Sequence, residues 1–202
     1  RVEEFTSIIS HDLRNPLRVA KGRVELIRDE CESAHIDDVV QALDRMDALI
    51  EDLLTLAREG NRVDEIESVG LASVATNSWQ TVKTEQATLE TGTTQTIQAD
   101  QSRLQQLFEN LYRNAIEHGG DDVTVSVGAM DDGFYVADTG PGIPESDREE
   151  VFEAGYSTNE DGTGFGLRIV KQIADAHEWE IIVTESEGDG ARFEITGVEK
   201  CE

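Results

Sequence analysis

One histidine near the start of the chain stands in a setting that suits chemistry. His11 is followed directly by Asp12, and Asn15 comes four residues later. At about 100° per residue, Asn15 lies only about 40° from His11 around a helix, whereas the apolar Ile9 and Leu13 each lie about 200° away. The imidazole therefore points away from the packed face, next to a carboxylate that can orient its ring. Such a histidine is arranged to act as a nucleophile.

The plainer interpretation of a lone histidine on a helix is a surface or capping residue, which we expect for His35 and His177. His11 differs because Pro16 interrupts the same helical pattern. A proline inside a helix removes a hydrogen bond, kinks the helix and costs about 3 kcal/mol. Its presence here therefore indicates that the kinked geometry has a function that offsets this cost. Motifs further along the chain strengthen the functional interpretation.

Two asparagines lie one helical turn apart in the middle of the chain. Asn110 and Asn114 share one face of a predicted helix, opposite its leucines. Two ordinary surface asparagines are the plain interpretation, but asparagine is a poor helix former, and two in one helix interior need an explanation. Two stacked amide oxygens are hard, neutral ligands that suit Mg²⁺ already attached to phosphate.

A second motif, Asp138-Thr139-Gly140-Pro141-Gly142-Ile143, directly follows a predicted strand. A carboxylate at a strand end can accept a hydrogen bond from an adenine amino group, and the glycines let the backbone pass close to a ligand. Asp-Thr-Gly also occurs in aspartic proteases. That alternative requires two strand-rich lobes or a β dimer, and it explains none of the other motifs.

A third motif, Gly162-Thr163-Gly164-Phe165-Gly166-Leu167, opens a predicted helix. Backbone amides at a helix N-terminus bind phosphate, although this pattern is neither a P-loop nor a complete Gly-x-Gly-x-x-Gly sequence. Residues 143–161 before it are acidic and loop-like, and they have the length of a lid over a bound ligand.

The first 60 residues carry two apolar seams of the kind found in packed helices. The first seam comprises Ile9, Leu13, Leu17, Ala20, Val24, Ile27 and Cys31, and the second comprises Val39, Leu43, Met46, Ile50, Leu53 and Ala57. We place the connecting loop near residues 33–37 and the end of the second helix at Gly60. Because two amphipathic helices alone cannot close a core, we expect a second copy to complete a four-helix bundle.

From about residue 66 the pattern changes to mixed helix and strand. Helices are predicted near residues 71–82, 102–117 and 167–176, with Asp100 as the N-cap of the second. Strands are predicted at 87–91 and 94–98 around a turn at Gly92. Further strands are predicted at 123–127 and 134–137, joined by a hairpin turn at Asp132-Gly133, and at 180–184 and 191–196.

The composition narrows the function classes. The 43 acidic and 17 basic residues give a formal net charge of −26, which disfavours binding to nucleic acid or to an anionic membrane surface. The acids are spread along patterned sequence and arginine outnumbers lysine, so we predict a halophilic protein whose self-repulsion is screened by salt. No apolar run reaches the 18 residues of a membrane span, so we expect no membrane contact by this fragment.

In this order, with His11 upstream, the motifs resemble the sensor histidine kinases of two-component signalling. The segment 11–17 resembles their H box, 110–114 the N box, 138–142 the G1 box, Phe152 the F box and 162–166 the G2 box. The resemblance implies ATP and Mg²⁺ as cofactors, with Asn110 and Asn114 holding the metal. It assigns nucleotide binding to Asn110, Asn114, His118, Asp138, Gly140, Gly142, Ile143, Phe152, Gly162, Thr163, Gly164, Gly166 and Leu167.

The resemblance also implies an α+β fold in two domains. Residues 1–62 would form the dimeric phosphoacceptor hairpin, and residues 66–202 an ATP-binding α/β sandwich of the Bergerat type. The implied activity is cytoplasmic autophosphorylation on His11, followed by transfer to an aspartate in the receiver domain of a response regulator. Asp12 would orient the imidazole, and Asn15 would orient water for the reverse, phosphatase reaction.

The residues leave two alternatives to a histidine kinase open, and the first is an ATPase of the same fold. Related gyrase-like ATPases carry glutamate four residues before the metal-binding asparagine, whereas this chain has Asn110 there, with Glu109 rotated by about 100°. A degenerate dimeric scaffold is the other alternative, because Glu117 stands where the family often has lysine. The lid offers only Arg148 as a cation, and the possible substitutes elsewhere are Arg113, Arg168 and Lys171.

Overall fold

A computed structural model describes residues 16–24, 26–27, 35–37, 39–40, 42–44, 46–47, 49–50, 63, 65–82, 86–120, 122–153 and 164–201. The chain divides into two units: residues 1–60 with 157–165, and residues 61–156 with 166–202. None of the helices in the described ranges is both long and apolar enough to cross a membrane.

In the first unit, every described residue from 16 to 50 is helical. An ion pair between Lys21 Nζ and Asp44 Oδ1, at 2.5 Å, joins the two helical segments. The loop prediction was partly wrong, because residues 35–37 are already helical. Ile36, Val40 and Leu43 are half-buried, whereas the predicted seam residue Val39 is exposed. The covered apolar positions in this helical segment therefore include Val40 instead of Val39, and they begin one turn earlier than predicted.

The second unit contains three helices and seven strands in its described residues. The helices are α1 (Leu71–Thr81), α2 (Gln101–Gly119) and α3 (Gly166–Ala176). The strands are β1 (Glu67–Gly70), β2 (Thr88–Thr91), β3 (Thr96–Ala99), β4 (Thr124–Met130), β5 (Gly133–Asp138), β6 (Glu180–Glu185) and β7 (Ala191–Thr196). Two short 3₁₀ turns, Glu145–Asp147 and Glu150–Phe152, follow β5.

Five strands form one sheet in the order β2-β4-β5-β7-β6, in which only β2 and β4 are parallel. The predicted strands on either side of Gly92 do form, but they do not pair with each other. Strand β3 instead pairs antiparallel with β1, which the sequence analysis did not predict. The chain beyond β7 returns to this small sheet, where Lys200 bridges to Ile97.

The core lies between one face of the large sheet and the three helices. Helix α2 begins where Asp100 Oδ1 accepts hydrogen bonds from the backbone amides of Ser102 and Arg103 at 3.0 and 3.1 Å, which confirms the predicted N-cap. A continuous series of aromatic contacts crosses the core from α1 to the end of α3, through Trp79, Tyr112, Phe108, Phe134, Trp179 and His177. These contacts fix the helices over the sheet.

His177 joins the end of α3 to the start of α2. Its Nδ1 donates to the carbonyl of Ile173 at 2.8 Å, and its Nε2 accepts from the backbone amide of Asp100 at 3.0 Å. Only the neutral ring can donate at one nitrogen and accept at the other. Burial is the main cause that lowers the pKa of His177, and it outweighs the opposing effects of the Ile173 carbonyl and the Asp100 carboxylate.

We expect the stability of the second unit to fall in mild acid because of His177. Below its unfolded pKa of about 6.5, the unfolded chain binds a proton that the folded chain resists. This contribution is therefore fully present above pH 6.5 and is lost as the pH falls toward the lower folded pKa. Each tenfold difference in proton affinity corresponds to about 1.4 kcal/mol.

Urea unfolding in molar KCl between pH 5.5 and 7.5 measures this effect. The free energy of unfolding should fall more steeply with acid in the wild type than in His177→Gln, whose side-chain oxygen can still accept a hydrogen bond but does not titrate. The carboxylates contribute equally to both proteins. Parallel pH profiles would contradict the assignment.

Candidate active site

Asp138 is the last residue of β5 and is 9% exposed. Its Oδ1 accepts hydrogen bonds from the backbone amides of Gly140 at 2.8 Å and Ala191 at 3.2 Å. Burial raises the pKa of Asp138, and these two amides together with the charge of His118 lower it, but burial is the larger effect. The two amides both engage Oδ1, so the carboxylate is held in one direction at the end of a central strand.

The backbone after Asp138 passes through a narrow space that requires glycine. A Cβ atom at Gly140 would lie 3.0 Å from the Cα of Gly119 at the end of α2. Gly142 has a φ of +71°, and a Cβ atom there would lie 2.6 Å from the carbonyl oxygen of Asp189. The segment is thus fitted between a helix end and the β6–β7 turn, with close approach on both sides.

Asn110 faces the start of α3. Its side chain is 6% exposed, and its Nδ2 donates to the carbonyl of Gln106 at 2.8 Å. Its Oδ1 is buried and has no hydrogen-bond partner among the described residues. A Cβ atom built on Gly166 would lie 3.4 Å from this oxygen, so the Asn110 side chain meets the first residue of α3 here.

An unpartnered buried amide oxygen is the kind of group that a hard cation satisfies. Asn114, one turn further along α2, is half-buried and offers a second oxygen of the same type. Oxygen ligands with several further positions left to phosphate and water are what Mg²⁺ requires. The residues present therefore fit Mg²⁺ held jointly by the protein and a bound nucleotide.

Glu109 points in a different direction from Asn110. Its Oε1 accepts hydrogen bonds from Thr81 Oγ1 at 2.7 Å and from Gln105 Nε2 at 2.8 Å. Thr81 is the last residue of α1, so the Glu109 carboxylate faces α1 while Asn110 faces α3. This carboxylate is engaged away from the Asn110 oxygen and is not placed to activate a water molecule beside it.

The remaining described candidates differ in their exposure and contacts. His118 is exposed in the last turn of α2, near enough to Asp138 for its charge to act on that carboxylate. Arg148, the only cation predicted in the lid, donates from Nε to the carbonyl of Ile143 at 3.0 Å. Phe152 is half-buried in a 3₁₀ turn that contacts α3. Gly164, with a φ of +72°, and Leu167 are half-buried.

Lys171, one of the possible substitute cations, forms an ion pair with Asp175 at 2.5 Å along α3, and Arg113 and Arg168 are exposed. The predicted residues His11, Asp12, Asn15, Gly162 and Thr163 lie outside the described residues. Their assignments therefore stay predictions.

Sequence analysis missed Ser186. This residue precedes the β6–β7 turn, and its hydroxyl donates to the backbone carbonyl of Asp138 at 2.7 Å. The available signal was a serine shortly before Gly188 and Gly190, since serine hydroxyls often bond to the backbone of turns. Nothing in the sequence pattern places that turn beside Asp138.

Two families match the chain. Residues 99–198 match the family described as "Histidine kinase-, DNA gyrase B-, and HSP90-like ATPase". Residues 1–62 match the "His Kinase A (phospho-acceptor) domain". The first match contains Asn110, Asn114 and Asp138, and the second contains His11.

Similar curated proteins extend over nearly the whole chain. The sensor histidine kinase ZraS of Salmonella typhimurium is 32% identical over 204 residues, covering 93% of this chain and 43% of the relative. The phytochrome-like protein Cph1 of Synechocystis is 30% identical over 212 residues, covering 95% of this chain and 28% of the relative. The chain thus spans less than half the length of these relatives.

Solved structures are similar as well. Full-length ShkA in complex with AMPPNP has a TM-score of 0.66 and 29% identity, covering all of this chain and 47% of that one. The mycobacterial sensor histidine kinase MprB has a TM-score of 0.58 and 27% identity, covering 67% of this chain and 97% of that one.

Proposed function

Because this chain belongs to the histidine kinase family, we propose that it transfers the γ-phosphoryl group of ATP to His11 and then to an aspartate of a response regulator. The observation that carries the proposal is the pair of neighbours Glu109 and Asn110. The carboxylate faces α1, whereas the amide oxygen faces the start of α3 and has no hydrogen-bond partner in the described part of the chain. A site arranged in this way suits a nucleophile that needs no general base, as neutral imidazole does.

The predicted nucleotide-binding residues have distinct roles in this proposal. Asp138 accepts a hydrogen bond from the adenine amino group, and the glycines after it let the backbone lie against the base. Asn110 and Asn114 would hold Mg²⁺, which would neutralise charge on the phosphate oxygens. Backbone amides at the N-terminus of α3 would bind phosphate, and the predicted G2 box at residues 162–166 would supply further amides.

Phosphoryl transfer requires positioning more than covalent assistance from the protein. The lone pair of His11 Nε2 forms the new bond to the γ-phosphorus as the bond to the bridging oxygen breaks, and ADP leaves with that electron pair. The proton on Nδ1 stays in place and is hydrogen-bonded to Asp12. This carboxylate stabilises the positive charge that develops on the ring.

We infer that the active form is a homodimer. Several apolar side chains of the N-terminal helical segments are about half exposed in the single chain, among them Ile27, Val39 and Met46 of the two predicted seams. Full burial of an exposed side chain of this size contributes about 1.5–3 kcal/mol, so covering the exposed half of each would contribute about half of that. A second copy would bury them in a four-helix bundle.

The proposal includes a cytoplasmic protein adapted to molar salt. ATP and receiver domains are available in the cytoplasm. A formal charge of −26 repels itself at low ionic strength, and molar salt reduces the screening length to about 3 Å. Experiments on the chain therefore belong in molar KCl.

The test of the function is incubation with γ-labelled ATP and Mg²⁺ in molar KCl. A histidine kinase acquires label that is labile in acid and stable in alkali, and the label then passes to a receiver domain. Steady phosphate release without protein-bound label would instead identify an ATPase. Nucleotide binding without either product would identify a scaffold.

We expect Asn110→Ala to remove the effect of Mg²⁺ on ATP binding. In the wild type, ATP should bind more tightly in Mg²⁺ than in a chelator. Loss of a metal ligand should weaken ATP binding in Mg²⁺ by roughly tenfold or more. Binding measured in the chelator should change little, because adenine contacts remain. Titration calorimetry with and without Mg²⁺ measures both values.

The matched control is Asn77→Ala, which removes an exposed helical asparagine from α1 and should leave both affinities unchanged. Retention of the full Mg²⁺ effect in Asn110→Ala would contradict the metal assignment.

We expect Asn15→Ala to separate the two reactions at His11. Autophosphorylation should be spared because the imidazole and Asp12 remain, whereas dephosphorylation of the receiver domain should slow by about tenfold or more because its water is no longer oriented. Rates of label gain by the kinase and label loss by the receiver measure the two effects. Equal loss of both would contradict the role of Asn15.

A further inference from the structure

The turn between β6 and β7 closes against the end of β5. A Cβ atom at Gly190 would lie only 2.0 Å from the carbonyl oxygen of Asp138, so the two backbones touch and no other residue fits at Gly190 without a shift. The turn itself is closed by a hydrogen bond from the Ser186 amide to the Gly190 carbonyl at 2.8 Å. A change in the conformation of this turn would therefore move the backbone that contacts Asp138.

Ser186 connects both partners in this contact. Its hydroxyl donates to the carbonyl of Asp138 at 2.7 Å and accepts from the amide of Gly190 at 3.0 Å. The next amide along, that of Ala191, donates to Asp138 Oδ1 at 3.2 Å. One hydroxyl thus bonds to the end of β5 and to the turn that leads into Ala191, whose amide is one of the two that bind the carboxylate.

Ser186 reaches Asp138 from the far side of the sheet. It lines a cavity of about 200 Å³ together with Ser126, Tyr135 and Arg192. The strand neighbours of these residues, such as Val125, Val127, Phe134, Val136 and Phe193, are buried against the helices, so the cavity lies on the opposite face. The Ser186 hydroxyl can therefore influence a nucleotide on the helix side only through Asp138 and the turn.

We propose that Ser186 is a positioning residue for adenine recognition, setting the direction of the Asp138 carboxylate without contacting the nucleotide. This inference rests on the proposed role of Asp138 in binding the adenine amino group. A carboxylate prefers adenine because the amino group donates a hydrogen bond, whereas hypoxanthine has a carbonyl oxygen at the same position. A misdirected carboxylate loses that preference while the phosphate contacts persist.

The experiment measures the ratio of the dissociation constants of ITP and ATP in molar KCl. Ser186→Ala should lower this ratio about fivefold, the effect of one ordinary hydrogen bond, mainly by weakening ATP binding. Ser186→Thr keeps a hydroxyl and should restore most of the ratio. A purely structural role would weaken ATP and ITP equally, and that result, or an unchanged ratio, would overturn the proposal, as would Ser186→Thr behaving like Ser186→Ala.

Two further variants distinguish a failure of the inference on Ser186 from a failure of the proposed role of Asp138. Ser126 lines the same cavity and donates to a backbone carbonyl, that of Ala137 at 3.5 Å, so Ser126→Ala is the matched control and should leave the ratio unchanged. Asp138→Asn tests the underlying function. If Asp138→Asn keeps the wild-type ratio, the proposed role of Asp138 fails; if Asp138→Asn lowers the ratio and Ser186→Ala does not, only the inference on Ser186 fails.

Discussion

We expect the substitution His11→Gln to abolish the labelling of the chain by γ-labelled ATP, which is the largest effect that we predict. Glutamine keeps a polar side chain of similar length on the helix, but its amide has no nucleophilic nitrogen lone pair. The proposed ATP-binding groups Asn110, Asn114 and Asp138 lie in residues 99–198, so ATP binding should be unchanged. We therefore expect at least a hundredfold loss of acid-labile label with the ATP dissociation constant preserved.

The matched control is His35→Gln, since His35 is an exposed helical residue in the same N-terminal part of the chain. Its label should equal that of the wild type. Label that persists on His11→Gln with the same acid lability would show that another residue is the acceptor. Label absent from both variants would show that the fold of the helical segments had been lost, and circular dichroism in the same buffer checks this directly.

The local features of the fold were predictable because their causes lie close together in the sequence. Helix α2 follows from Asp100 as an N-cap and from leucines at helical spacing, and both are confirmed. The hairpin of β4 and β5 was likewise predicted from two apolar runs joined by a short turn, although the turn occupies residues 131–132 and Gly133 already belongs to β5.

Pairing between distant strands was not predictable. The runs on either side of Gly92 resemble a hairpin, yet β2 pairs in parallel with β4, and β3 pairs with β1 and with the chain end near Lys200. These partners are 26 to more than 100 residues away in the sequence, and a two-residue-period pattern does not identify a partner. Strand β1 itself is only four residues long, too short to give a clear pattern.

The same distinction holds within the site. Asp138 and Asn110 could be predicted as site residues because each belongs to a short motif with its own chemical meaning, and their roles stay predictions. The engagement of Glu109 by Thr81, and of the Asp138 carbonyl by Ser186, depends on contacts across 28 and 48 residues. Residues that bind a ligand are thus visible in motifs, while residues that direct them become visible only in the fold.

Asp138→Asn should separate nucleotide binding from stability. Burial raises the pKa of Asp138 despite two amide donors and the charge of His118, so ionisation of this carboxylate is less favourable in the folded chain than in the unfolded chain. Any stability from this group is present at low pH and is lost as the pH rises through the folded pKa. A neutral asparagine at pH 7 removes that unfavourable charge and can keep Oδ1 as the acceptor for both amides.

Binding should respond in the opposite direction. The second carboxylate oxygen becomes an amino group, which meets the adenine amino group donor to donor, and a hydrogen bond to a charged acceptor is worth about 1.5–3 kcal/mol. We therefore expect ATP affinity to fall about 10- to 100-fold, while the unfolding midpoint in urea stays equal or rises. Calorimetric titration and urea unfolding on the same preparation measure both changes.

The control is Asp189→Asn in the neighbouring turn. Asp189 is exposed and has a φ of +64°, a conformation that asparagine also adopts readily, so this variant loses one negative charge near the site without changing the backbone. Its ATP affinity should match that of the wild type, which would exclude a general charge effect. Unchanged ATP affinity in Asp138→Asn, or a fall in affinity accompanied by loss of folding, would contradict the assignment of Asp138 to adenine, because that assignment requires a carboxylate kept for binding at the expense of stability.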